Sequence, residues 1–265
     1  MTGTGSPTDH GRALCAFPAV LVLSGSLLAA AVQARPCPPG LDRLPPASPA
    51  TRLEAWSCEL RFAAPDSDPT AEGPFSFRPW YGQIQERYTL NWDALEGFNM
   101  EVELSPGPAD TLQYRARLEE LASFLGPFLD VWNNAMFRSP CETVPDTTEW
   151  SREGGDWLAR YPLAPQGYVE QRWDGSGFPL ALQGWQDGVQ LFHAGLQPVV
   201  THGEQLLGQT DIWLETGLVH YRFRLEYSLV SHFLMPARLL WSSSVWGSEQ
   251  ELRIEFRQYQ WRIKD

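Results

Sequence analysis

The C-terminal part of the chain alternates strictly between apolar and polar residues, and this pattern constrains the fold most strongly. Every second residue from Val219 to Tyr227 is apolar, whereas the residues between them, such as Arg222 and Glu226, are polar or charged. A second such run includes Phe256. A period of two places alternate side chains on opposite faces of a strand, so both runs predict antiparallel strands with one apolar face. That face must be covered by a helix, a second sheet or a ligand.

The same pattern predicts strands earlier in the chain. The predicted ranges are 56–62, 75–77, 84–92, 98–104, 157–161, 168–173, 178–185, 189–192 and 198–201. Residues 139–154 have the composition of a loop, and the segment 205–213 is ambiguous. The apolar phase slips between Phe256 and Tyr259, which predicts either a β-bulge or the end of the last strand.

Between residues 110 and 138 the period changes to that of a helix. Asp110 is a suitable N-cap, and Gln113 stands at the capping-box position. Because proline removes a helical hydrogen bond, Gly126 and Pro127 predict a break or kink, with two helices meeting at about Leu125. The apolar stripe consists of Leu118, Leu121, Leu125, Phe128, Trp132 and Met136.

These patterns predict an α+β fold that is mainly antiparallel β. We expect a curved open sheet, or half-barrel, whose apolar face is covered by helices. Residues 51–265 are expected to form a single β-rich domain with a helical insertion at about 110–138. Residues 35–50 contain six prolines and are expected to be an extended leader, not a folded element.

The N-terminal residues indicate export. Residues 13–32 are apolar and rich in small side chains, and Val32-Gln33-Ala34 is a plausible cleavage site. Residues 1–34 are therefore predicted to be a secretory signal peptide. The alternative is an uncleaved anchor, which Pro18 and the interrupted apolar run disfavour. We expect a periplasmic or secreted protein with no transmembrane helix after cleavage and only peripheral contact with the envelope.

Three cysteines remain after cleavage, and in an oxidising compartment two of them are expected to pair. All three pairings are open from the sequence. Cys37 and Cys141 both lie in proline-flanked loops, which favours a disulfide between them. Cys58 lies on the apolar side of a predicted strand, where burial as a free thiol is expected.

Charge and missing motifs exclude several classes of function. The net charge of −12 leaves no basic stripe for nucleic acid. Lysine-based catalysis is excluded because Lys264 is the only lysine and stands next to the C-terminus. The chain contains no nucleophile elbow, zinc-protease helix or P-loop, so no catalytic residue, cofactor or metal ligand is predicted. His220 and His232 could approach each other if their strands pair, although structural histidines are the simpler interpretation.

The remaining signal is the abundance of aromatic residues, which includes twelve tryptophans. A sheet lined by Tyr221, Phe223, Tyr227, Trp241 and Trp246, and facing a kinked apolar helix, is one way to build an apolar cavity. The same residues could equally form a solid core. The sequence leaves open whether the interior is hollow or filled.

Two blocks of the chain carry a resemblance to a known family. A first strand leads to Gly73, Phe75, Phe77, Arg78 and Pro79, and the C-terminal block joins an amphipathic strand to residues 233–239 and then to an alternating strand. In both blocks the chain resembles the periplasmic lipoprotein-carrier (LolA-like) family. The resemblance implies an open half-barrel under helices that shelters acyl chains, and binding of a lipid or lipidated protein without catalysis.

The resemblance also implies a set of ligand-lining residues. These are Trp56, Leu60, Phe77, Tyr88, Val219, Tyr221 and Phe223. The helical stripe adds Leu121, Leu125, Phe128 and Trp132 as candidates. Two alternatives remain: an exported envelope-assembly or protein-interaction module with a solid core, and an exported hydrolase whose carboxylate and histidine meet only in the folded chain.

Overall fold

A computed structural model describes residues 37–44, 48–63, 85–105, 125–214, 218–245 and 248–264. All of them belong to one compact unit, which spans Val32–Asp265. Most of the described residues lie in antiparallel strands. The strands are β1 Leu53–Ala63, β2 Gln85–Asp93, β3 Gly97–Ser105, β4 Glu149–Glu153, β5 Asp156–Leu163, β6 Gly167–Trp173, β7 Pro179–Gln186, β8 Val189–Thr201, β9 Glu204–Leu214, β10 Val219–Val230, β11 Phe233–Val245 and β12 Ser248–Ile263.

The twelve strands form one open sheet in the order β3-β2-β1-β12-β11-β10-β9-β8-β7-β6-β5-β4. Strands β4 to β12 follow one another as a meander, and β1 then pairs with β12. Two-residue turns join several neighbours, and both turn residues have positive φ at Asp187-Gly188 and at His202-Gly203. Such turns match the right-handed twist of the strands they connect. The prediction of a mainly antiparallel, open sheet is confirmed.

Residues 125–136, here named α1, are helical, which agrees with the predicted C-terminal half of the helical insertion. The predicted stretch 110–124, which includes Leu121, lies outside the described residues, as does the predicted strand at Phe77. Among the described residues α1 is the one α-helix that packs on the sheet.

Two strand predictions differ from the structure, and one ambiguous segment is settled by it. Residues 189–201 form one strand and not two, because Pro198 is accommodated by a register shift between Gln197 and Pro198. Residues 139–154 contain the short strand β4, whose charged side chains hide its period. The ambiguous segment at 205–213 is part of β9. The phase slip in β12 is a bulge, with Gln258 at φ 54°.

The proline-rich segment differs from the expected extended leader. Leu41 is buried and lies close to Gly177, and residues Pro49–Thr51 form a short 3-10 turn capped by Ser48. A disulfide joins Cys37 to Cys141, the pairing that the sequence favours, and Cys58 is a buried free thiol. The disulfide therefore fixes this segment to the loop that follows α1.

Candidate functional site: the aromatic face under residues 125–136

The inner face of the sheet is apolar because the alternate residues of neighbouring strands are in register. Phe223 of β10 stands opposite Trp241 of β11 and Thr210 of β9. Trp56 of β1 stands opposite Trp92 of β2 and Trp261 of β12. The same alternation sends Arg222 and Ser57 to the outer face. The inner face, defined in this way, is the surface on which α1 packs.

Nearly all of the described lining candidates meet in one cluster. Trp56, Leu60, Tyr88, Leu125, Phe128, Trp132 and Phe223 belong to it, and Tyr221 packs against its edge. Val219 is buried but lies outside this cluster. Phe77 and Leu121 lie outside the described residues. The alternating pattern and the helical stripe thus identify side chains that come together in space.

Trp132 stands at the centre of the cluster. Its ring stacks on Phe98 of β3 at 4.9 Å between centroids and on Phe128 at 5.7 Å. It also meets Phe256 of β12 edge-on at 6.3 Å. Phe128 continues the chain of rings to Phe223 at 5.0 Å. One turn of α1 therefore contacts strands that are distant in the order of the sheet.

A few polar atoms lie at the edges of the aromatic cluster, and one hydrogen bond joins the sheet to α1. The indole nitrogen of Trp92 donates a hydrogen bond to Asn133 Oδ1 at 3.3 Å. Tyr227 donates to the carbonyl of Leu207 at 2.8 Å, and burial raises the pKa of its hydroxyl. The Trp56 indole nitrogen is buried and has no hydrogen-bond partner among the described residues. An unpaired buried donor costs roughly 1–3 kcal/mol.

The space between α1 and the sheet is filled by protein. A residual cavity of about 10 Å³ lies near Trp132, Leu206, Tyr227 and Met235. A volume of this size holds at most about one water molecule. Phe128 and Phe223 are each only 1% exposed. The question that the sequence leaves open is therefore answered for this region: the described residues under α1 form a filled interior.

The outer face carries a second cluster, which sequence patterns did not identify. Asp211 Oδ1 accepts hydrogen bonds from Arg222 at 2.7 Å and interacts with His220 at 3.0 Å, while Oδ2 accepts from Gln209 at 2.6 Å. Burial alone would raise the pKa of Asp211, but these hydrogen bonds outweigh burial and hold the pKa below its usual value. The ring of Trp213 stacks on His220 at 4.7 Å.

This His–carboxylate pair fits a structural role better than acid–base catalysis. Arg222 shares the oxygen that His220 contacts, so the carboxylate is already neutralised by a permanent cation. The approach of His220 to His232, which the sequence allows if their strands pair, does not occur. His220 stands near the start of β10, opposite Ser244, whereas His232 lies in the turn after the other end of β10.

Neither metal ligands nor a spanning helix is found in the described part of the chain. Its histidines, cysteines and carboxylates form no group of three or more that could hold a metal ion. None of its helices is both long enough and apolar enough to cross a membrane.

Comparison with known proteins adds no relative. No family model matches the chain, and neither a curated protein nor a solved structure is significantly similar to it.

Proposed function

We propose that the chain is an exported, non-catalytic carrier or binder of an apolar ligand, a lipid or a lipidated protein, which binds to the inner face of the sheet. In the structure α1 occupies that face. The signal-like N-terminus and the resemblance to lipoprotein carriers motivate the proposal. The observation that carries it is the position of Phe128 and Trp132, whose rings lie on the strands where the apolar part of a ligand would lie.

Ring distances support a sheet that curves around α1 as a half-barrel. Three steps of 4.9, 5.7 and 5.0 Å join Phe98 to Phe223 through Trp132 and Phe128. The two outer rings are thus at most about 16 Å apart, whereas five strand spacings separate β3 from β10, or roughly 24 Å in a flat sheet. A concave face of this kind can enclose an elongated ligand.

An empty apolar face needs a cover, and this explains why a carrier would have a filled interior. Exposing apolar surface to water costs about 25 cal/mol per Å². A helix that covers the face removes this cost until a ligand replaces it. The disulfide at Cys141 fixes the chain just after α1, so the helix can leave the face, with loss of the Trp92–Asn133 hydrogen bond, while its C-terminal connection stays in place.

The unpaired indole of Trp56 gives the face a polar contact for a ligand. Its N–H is buried, and the centroid of its ring lies 5.9 Å from that of Trp132 and 5.7 Å from that of Phe98. An ester or carboxyl oxygen of a lipid would satisfy this donor. Apolar sites typically fix the orientation of a ligand with one or a few such polar groups.

Lipid analysis tests the proposal. The protein is purified without detergent from the periplasm of a Gram-negative host, and bound lipids are extracted and identified by mass spectrometry. We expect co-purifying acyl lipid at close to one molecule per chain. Phe128→Ala, which loosens the cover, is expected to bind added lipid more tightly, whereas the exposed Asn134→Ala is the matched control and is expected to behave as wild type. Absence of any lipid, bound or bindable, would contradict the proposal.

The filled interior favours a second candidate, an envelope-assembly or protein-interaction module with a solid core. In that case α1 is a permanent part of the core and the outer surface binds a partner. Affinity capture with a detergent-free extract separates the two candidates. A reproducible protein partner retained by a lipid-free sample, with no lipid bound by Phe128→Ala, would favour the interaction module.

A further inference from the structure

A shallow groove of about 460 Å³, wide open to solvent, lies on the outer face of the sheet, on the side opposite to α1. Strands β3, β2, β1 and β12 form its floor. The residues at its centre are Asn99, Asn91, Ser57 and Gln260, one from each strand. Nothing in the proposed lipid function uses this surface.

The four central residues form a straight row across the sheet. Asn99 stands opposite Asn91, Asn91 opposite Ser57, and Ser57 opposite Gln260. Neighbouring strands are about 4.8 Å apart, so the side chains repeat at that spacing. The row therefore presents three amides and a hydroxyl at a regular interval that is close to the length of one pyranose unit.

The hydrogen-bonding capacity of this row is unused. Elsewhere on the outer face, arginine–carboxylate pairs link neighbouring strands, as between Arg238 and Glu226 at 2.8 Å. Within the described residues, by contrast, the side chains of the row form no hydrogen bond with other protein atoms. Each amide offers two donors and an acceptor, and the hydroxyl offers both. Such mixed groups suit a ligand that is itself rich in hydroxyls.

Two bulges lie beside the groove, and the charges at its rim narrow the ligand class. The register of β1 and β12 shifts on both sides of Ser57, and bulges of this kind bend and twist strands. At the rim Arg262 is engaged by Glu54 at 2.6 Å and lies 3.6 Å from Asp93. Glu101 adds a further negative charge. The rim therefore disfavours anionic ligands.

We propose that this groove binds a neutral oligosaccharide, which lies along the row from Asn99 to Gln260 with successive sugar rings over successive strands. The amides of Asn91 and Gln260 bond hydroxyls of the sugar, and Ser57 leaves room for a ring above β1. This proposal is independent of what the inner face binds.

Calorimetric titration with chitotetraose, cellotetraose and maltotetraose tests the proposal. We expect at least one of them to bind, and the double variant Asn91→Ala/Gln260→Ala to weaken that binding about tenfold, which corresponds to roughly 1.4 kcal/mol. Ser57→Tyr fills the centre of the groove and is expected to abolish binding. Gln197→Ala, an exposed amide on β8, is the matched control and is expected to bind as wild type.

Near-ultraviolet circular dichroism confirms that each variant is folded before titration. The proposal is overturned if none of the three oligosaccharides binds, or if binding is equal in wild type and both groove variants. It is also overturned if the groove instead binds a lysine-rich peptide and Glu101→Gln, but not Asn91→Ala, removes that binding. Lipid binding at the inner face is measured separately, so either proposal can fail alone.

Discussion

The ring of Phe128 in α1 stacks on the ring of Phe223 in β10, with centroids 5.0 Å apart and planes inclined by 25°. Both side chains are almost fully buried. The contact joins the helix to the middle of the long C-terminal meander. It is therefore the contact that a ligand on the inner face would have to replace.

Truncation of Phe128 should lower stability strongly. Phe128→Ala removes the stack and leaves a cavity next to Trp132, and such changes cost about 3–5 kcal/mol. Urea unfolding followed by circular dichroism measures the loss. The control Asn134→Ala, on the exposed side of α1, should stay within about 0.5 kcal/mol of wild type. Equal stability of the two variants would show that α1 does not pack as described.

Loss of the disulfide should destabilise the protein by a similar amount. The bond between Cys37 and Cys141 closes a loop over 104 positions of sequence. Restricting the unfolded chain by a loop of this length is worth about 4–5 kcal/mol. The double variant Cys37→Ser/Cys141→Ser and the reduced wild type should both show this loss in denaturant titrations. Unchanged stability in both would mean that the leader contributes little to the fold.

The thiol of Cys58 should be unreactive in the native protein. It is buried, and burial raises its pKa well above the ordinary value for cysteine, so little thiolate is present. In the chain that begins at residue 35, Ellman's reagent should detect no thiol before unfolding and one thiol afterwards. Rapid labelling of the native protein would contradict this burial.

Stability should fall in two steps as the pH decreases. Burial lowers the pKa of His193, so the unfolded chain binds a proton more readily. The stability that neutral His193 provides is complete above about pH 6.5 and declines as the pH falls below that value. Asp211, whose pKa is also lowered, adds a second decline below about pH 4. Unfolding free energies from pH 7.5 to 3 measure both steps, and His193→Gln should remove the first. If the decline in stability below about pH 6.5 persists in His193→Gln, its assignment to His193 is contradicted.

Asp174 should matter more for its oxygen geometry than for its charge. Its Oδ1 accepts hydrogen bonds from the backbone of Ser176 at 2.8 Å and of Phe178 at 2.9 Å, and Gln205 reaches Oδ2 at 3.2 Å. Asp174→Ala should cost about 2–3 kcal/mol, whereas Asp174→Asn keeps the Oδ1 acceptor and should lose less than half of that. Thermal unfolding of both variants measures the two losses of stability. Equal losses would contradict the hydrogen bonding described for this turn.

The sequence predicted the sheet well because alternation reports directly on which face of a strand is buried. The phase slip after Phe256 even located the bulge at Gln258. Pro198 led to a wrong break in β8, since a register shift that depends on the partner strand accommodates it. The short strand β4 was missed because its charged residues carry no apolar period.

The members of the aromatic cluster were predictable from the sequence, but their packing was not. Periodicity assigned Phe128, Trp132 and Phe223 to apolar faces, and these faces meet. Whether they enclose space or fill it depends on the fit of side chains from segments far apart in the chain, which no local pattern contains. The buried Asp211 was missed for the same reason, because its three hydrogen-bond partners meet only in the folded sheet.

Photo-crosslinking from position 223 tests the central claim most directly. A benzophenone amino acid replaces Phe223, the variant is expressed in the periplasm and irradiated in intact cells, and adducts are identified by mass spectrometry. The same replacement at Arg222, on the outer face, is the control. We predict that position 223 forms both lipid adducts and crosslinks to residues 125–136, and that position 222 forms neither. Crosslinks from position 223 to residues 125–136 alone, with no lipid adduct, would contradict the proposal that the inner face carries an apolar ligand.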